Sequence, residues 1–201
     1  MSHEDTMNRR LPLIEPPAAD ARVAALYRQI DARFGGVPNL FKALAHKPGI
    51  LEATLAKVAL VMDEGELERP LKEMMAVVVA DARGCAYCVG AHSMALQHLG
   101  VPQETIGLLL QGLDEAPLPA EWIALLQLAR RAAVDVHAIT DADIARLWSL
   151  GLSDAAVVEL ASVIELFIAL SFFLDLFAVP LDEPPISDRK PRLRRVNKPE
   201  R

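Results

Sequence analysis

PLKEMMAVVVADARGCAYCVGAHSMALQHLG, residues 70–100, decides the fold class. Pro70 stands where a first helical turn tolerates proline, and Gly84 stands where a helix stops. Between them, Val77-Val78-Val79 is the one β-branched run of the chain, and it lies inside a longer helical pattern rather than an alternating one. After Gly84 a second helical pattern runs to Gly100-Val101-Pro102. Two helices joined by one glycine predict an antiparallel hairpin.

Outward from this hairpin the chain keeps reading as helix. AADARVAALYRQIDARFG is amphipathic and ends at Gly35-Gly36. VPNLFKALAHKPG is a short helix between prolines, and GILEATLAKVALVMDEG a longer one that stops near Gly65. Downstream come PQETIGLLLQG and PAEWIALLQLARRAAVDVH, then DADIARLWSLG with Thr140 as N-cap, then a last long helix capped by Ser153. The expectation is an all-α single domain of about nine helices. Its boundaries are an extended leader over 1–17, a helical domain over 18–181 and a basic, proline-rich tail over 182–201.

Composition supports a globular chain. Of 201 residues, 52% are apolar and 24% charged, and the net charge is −6, which disfavours nucleic acid as the main partner. The tail carries seven Lys/Arg against four Asp/Glu with no interleaved aromatics, so a solvated or subunit-wrapping arm is expected there. LASVIELFIALSFFLDLFAVP, starting at Leu160, has the length of a membrane span, but Glu165 and Asp175 interrupt it. It is expected to be a helix buried on most sides, partly by another subunit, with no membrane role. The amino terminus has no apolar run behind its charges, and two cysteines make no secreted disulfide framework, so a cytoplasmic setting is expected.

Those two cysteines carry the chemistry. In a helix starting near Cys85, residues 85, 88 and 92 share one stripe, continued by Ala95, Leu96 and Leu99, which should face inward. Two thiols one turn apart can form a disulfide if the first turn relaxes. In the preceding helix Glu73 lies eleven residues before Gly84 and His92 eight after it, ~16 Å and ~12 Å at helical rise. A hairpin therefore brings Glu73 within reach of His92. A carboxylate orienting an imidazole beside a thiol is the arrangement of an activated nucleophile, and a second thiol would convert a sulfenic acid to a disulfide. Two other readings use the same residues: buried cysteines acting as small apolar side chains, and a zinc site of Cys85, Cys88, His92 and Glu73. His3, His46, His98 and His137 stand outside the stripe. Met62, Met74, Met75 and Met94 read as core filler, and Trp122 and Trp148 as packing aromatics. No glycine-rich phosphate loop or nucleotide fingerprint is present, so no cofactor is expected and reducing power must come from an external dithiol.

The spacing Glu73-x11-Cys85-x2-Cys88-x3-His92 resembles the signature of the AhpD-like proteins of the carboxymuconolactone decarboxylase superfamily. VPNLFKALAHKPGILEA before it and ELFIALSFFLDLFAVPLD after it resemble the branch of uncharacterised peroxidase-related proteins, so the likeness runs over about residues 10–181. It implies an alkylhydroperoxidase-like helical fold that assembles into homo-oligomers. It further implies Cys88 as the peroxidatic cysteine, Cys85 as the resolving one, and Glu73 with His92 as a proton relay. Tyr87 departs from the second histidine of the best-studied members, and Asp175 from an expected Asn. Superfamily members that decarboxylate a lactone generally lack the CxxC. The expected function is a thiol-dependent peroxidase. The alternatives are a disulfide oxidoreductase that feeds a separate peroxidase and a non-catalytic helical protein with a vestigial CxxC.

Overall fold

A computed structural model describes residues 10–63 and 65–183. The described residues form nine α-helices and no strand: α1 (Ala21–Phe34), α2 (Asn39–Leu44), α3 (Pro48–Met62), α4 (Arg69–Arg83), α5 (Ala86–His98), α6 (Gln103–Gln111), α7 (Ala120–Val134), α8 (Asp141–Ser149) and α9 (Asp154–Leu176), with three single 3-10 turns. The all-α expectation is met.

The fold is organised around α4. Residues 71–80 are all buried, because α4 packs against α5, α6, α7 and α9 at once. That encirclement explains why three consecutive valines sit in a helix: burying each contributes ~1.5–3 kcal/mol, which exceeds the few tenths that β-branching costs there. Gly84, at φ +74°, ends the helix in a Schellman turn, its N–H reaching the Asp81 carbonyl while the Cys85 N–H reaches the Ala80 carbonyl. A side chain at this positive φ would be strained, and the turn delivers Cys85 directly to the N-cap of α5. Thr140 and Ser153 cap α8 and α9 as expected, the former within a reciprocal capping box with Asp143.

Three expectations are corrected. The helix drawn through His137 ends at Val134, with Val136–Ala138 a separate 3-10 turn. Leu99 is exposed rather than inward, since α5 has ended by then. Trp148 is exposed rather than packed, its indole N–H donating to Asp154. Within the single chain, α9 is covered on one side only: Val158, Ala161, Glu165, Ala169, Phe172 and Leu176 form an exposed stripe, with Phe172 61% exposed.

Beyond α9 the chain turns at Ala178, which has a left-handed φ of 47°, and crosses to the start of α2. There Asp182 Oδ1 accepts the Asn39 backbone N–H at 2.7 Å, and the Asn39 amide donates to the carbonyls of Pro180 and Leu181. Asp182, the first residue of the expected tail, is thus fixed. Residues 184–201 of that tail, and 1–9 of the leader, lie outside the described residues.

Candidate functional site

The hairpin of α4 and α5 brings Glu73 and His92 together. The imidazole Nδ1–H donates to Glu73 Oε2 at 2.5 Å, although the two residues are nineteen apart in the chain. Glu73 is 1% exposed. Its other oxygen accepts from Arg69 Nε at 2.7 Å, so both oxygens are committed. Burial pushes this carboxyl up, but His92 and Arg69 together outweigh it and hold it below the usual carboxylate range. Arg69 is itself fixed by the Met62 carbonyl at 2.8 Å and by Asp63, whose carboxylate is gripped bidentately by Arg33 at 2.8 and 2.7 Å. The edge of the Phe167 ring lies against the imidazole, centroids 4.5 Å apart.

Cys85 and Cys88 are both free thiols and both buried. Cys85 is the N-cap of α5, and Cys88 lies in the first turn, one turn before His92. The Cys88 thiol and backbone N–H face the Cys85 sulfur and pull its pKa down against burial. Cys88 is driven up, first because it gives its proton toward Cys85 and then by burial. The two thiols are therefore coupled, Cys88 giving its proton toward Cys85. Among the described residues no hydrogen bond joins His92 to either thiol.

A cleft of about 440 Å³ opens beside the Glu73–His92 pair, with neither cysteine in its wall. Glu73, His92 and Tyr87 form part of its wall, and the remainder is mostly apolar, with Phe41, Phe167 and Leu170 among its residues. Tyr87, between the two cysteines in the chain, donates to Asp182 Oδ2 at 2.5 Å and accepts the Leu40 N–H at 3.4 Å. Burial and then Asp182 raise its phenol well above the ordinary range.

The hairpin thus pairs Glu73 with His92 along its length and holds Cys85 and Cys88 at its turn, with Cys88 one helical turn before His92. Sequence reasoning missed Arg69 and the buried Ser171. It noted Asp175 as an interruption of the apolar run and as a departure from Asn, but not its action on both thiols from α9. Arg69 was legible as an i, i+4 partner of Glu73. Ser171 was legible as a lone hydroxyl in an apolar run. The outlying histidines have ordinary roles: His46 bonds the Pro12 carbonyl and His98 the Met94 carbonyl.

Residues 48–133 match the Carboxymuconolactone decarboxylase family model. An alkyl hydroperoxide reductase of Mycobacterium tuberculosis (strain ATCC 25618 / H37Rv) is 30% identical over 99 residues, which are 49% of this chain and 28% of that protein. The match therefore spans less than a third of that relative's length. An uncharacterized peroxidase-related protein from Silicibacter sp. TM1040 shares 26% identity over 90% of this chain and 95% of that one, with a TM-score of 0.79. A protein from Ralstonia eutropha JMP134, described as an alkylhydroperoxidase AhpD core and uncharacterized peroxidase-related protein, shares the fold at 24% identity. It covers 88% of this chain and 93% of its own, with a TM-score of 0.79.

Proposed function

As an AhpD-like member of the carboxymuconolactone decarboxylase superfamily, the chain is, we propose, a thiol-dependent peroxidase that reduces organic or hydrogen peroxide through Cys88 and Cys85. The observation that carries this reading is the Glu73–His92 contact, one helical turn from Cys88 and on the wall of an apolar cleft.

The geometry gives the relay its task. Cys88 holds the shared proton in the resting dithiol, so it cannot attack until a base removes it. His92, oriented by Glu73, is that base; Arg69 and burial keep Glu73 in place. The Cys88 thiolate then attacks the terminal oxygen of the hydroperoxide, the O–O bond breaks, and His92 returns the proton to the departing alkoxide. The products are the Cys88 sulfenic acid and an alcohol. Cys85 attacks the sulfenic sulfur, forming the disulfide and releasing water. An external dithiol restores both thiols by exchange. The uncovered apolar stripe on α9 supports a homo-oligomer as the working form.

Intact mass after one equivalent of cumene hydroperoxide tests this directly. The wild type is expected to lose two hydrogens, and the Cys85→Ser variant to gain one oxygen on Cys88. An oxygen trapped instead on Cys85, in a Cys88→Ser variant, would reverse the two roles. No mass change while a control thiol peroxidase reacts would sink the peroxidase reading.

A further inference from the structure

Helix α9 contains two serines, and they behave differently. Ser162, half-buried, makes the bond a helical serine ordinarily makes, donating to the carbonyl four residues back, Val158, at 2.8 Å. Ser171 lies nine residues on, in the run LFIALSFFLDLF, and is 1% exposed. Its hydroxyl has no hydrogen-bond partner among the described residues, including the carbonyl of Phe167 four residues back. Such an orphan is normally costly, and a buried one calls for a physical reason.

The reason lies in what Ser171 faces. Its hydroxyl lies near enough to the thiols of both Cys85 and Cys88 to favour the charged form of each. While both sulfurs carry protons, a thiol is too weak an acceptor to satisfy the hydroxyl. When either sulfur is charged, it becomes a strong acceptor beside a donor that nothing else holds. A donor left unsatisfied in the resting state and satisfied only as charge develops favours the reactive state selectively. The other groups around the thiols frame this role. Asp175, one turn further along α9, opposes the charge, as does burial. Glu73 is occupied by His92 and Arg69. On α9, Ser171 is therefore the hydroxyl that offsets Asp175.

We propose that Ser171 is a further catalytic residue, whose hydroxyl donates to the charged sulfur of the Cys85–Cys88 dithiol. The proposal deepens the peroxidase reading, because it concerns the same two sulfurs. Its test does not need peroxide.

The test follows iodoacetamide alkylation of the fully reduced full chain across pH 5–10, for wild type, Ser171→Ala and Ser171→Thr. Ser171→Ala should move the rate profile to higher pH and slow alkylation at pH 7 by about tenfold, equivalent to one pKa unit. Ser171→Thr, which keeps the hydroxyl, should restore it. The reduced Ser171→Ala protein should melt at or above the wild-type temperature, because no resting-state hydrogen bond is removed. An alkylation profile of Ser171→Ala identical to that of the wild type would overturn the proposal, whatever the melting temperature. So would a slowing that Ser171→Thr fails to restore. A wild type that alkylates as predicted but leaves cumene hydroperoxide intact would refute the peroxidase reading while the serine's role stood.

Discussion

Lys72 and Glu73 are neighbours on α4, both charged and both enclosed, at 0% and 1% exposure. They serve opposite ends. Lys72 pairs with Glu159 of α9 and also donates to the Asp63 carbonyl. Glu159 in turn accepts the backbone N–H groups of Glu66 and Leu67 at 2.6 and 3.1 Å. Every group around Lys72 is thus fixed backbone or a fixed ion, and the result is a pin holding α9 and the loop before α4 together. Space there is so tight that a Cβ on Gly65 would run into the Glu159 carboxylate. Glu73 instead ends on an imidazole that borders a cleft. A buried charge closed on all sides specifies structure; one closed on all sides but one can move a proton.

Breaking the pin should have the largest effect on folding. Lys72→Met leaves the Glu159 carboxylate without its cation and should destabilise the protein by ~3–5 kcal/mol, read from urea midpoints. The double variant Lys72→Met/Glu159→Leu should recover most of that loss. A single variant as stable as wild type would erase the distinction drawn here.

Glu73→Gln should sharpen the contrast from the other side. Peroxide turnover should fall by about 100-fold, with a smaller midpoint change than Lys72→Met causes. The variant should also alter the acid limb of stability. Glu73 has its carboxyl held below the ordinary range, so its contribution is present above the unfolded value, ~4, and is lost as pH falls through the lower folded value. Glu73→Gln should flatten that decline. Full turnover in Glu73→Gln would remove the proton relay. The smallest effect belongs to a charge with neither role. Arg22, paired with Glu52 at 3.0 Å with both side chains about 60% exposed, should cost no more than ~0.2–1 kcal/mol as Arg22→Ala; a larger loss in urea would show that burial is not what separates these cases.

Much of this was legible in the chain itself. Gly84 marked the hairpin, and counting residues from it placed Glu73 against His92, because helical rise is nearly invariant. The caps at Thr140 and Ser153 followed from local hydrogen bonding alone. What the sequence concealed depends on which faces of different helices meet. Lys72 and Glu159 are 87 residues apart, and no local pattern pairs them. The stripe containing Phe172 read as covered, partly by another subunit, and the single chain leaves it bare: periodicity reports apolarity, not what covers it. The lower-pKa thiol could not be assigned either. Two chemically identical sulfurs are distinguished by which of them receives the other's proton and by the capping position of Cys85.

The short crossing after α9 bears on how the protein should be handled. Asp182 grips Tyr87 at 2.5 Å and the α2 backbone at 2.7 Å, and Tyr87 sits between the cysteines. A shortened chain that ended before Asp182 would lose both contacts, the one to Tyr87 and the one to the α2 backbone, and would loosen the CxxC turn. Shortened forms made for assay should therefore keep the chain through Asp182, with the full-length protein beside them as the reference.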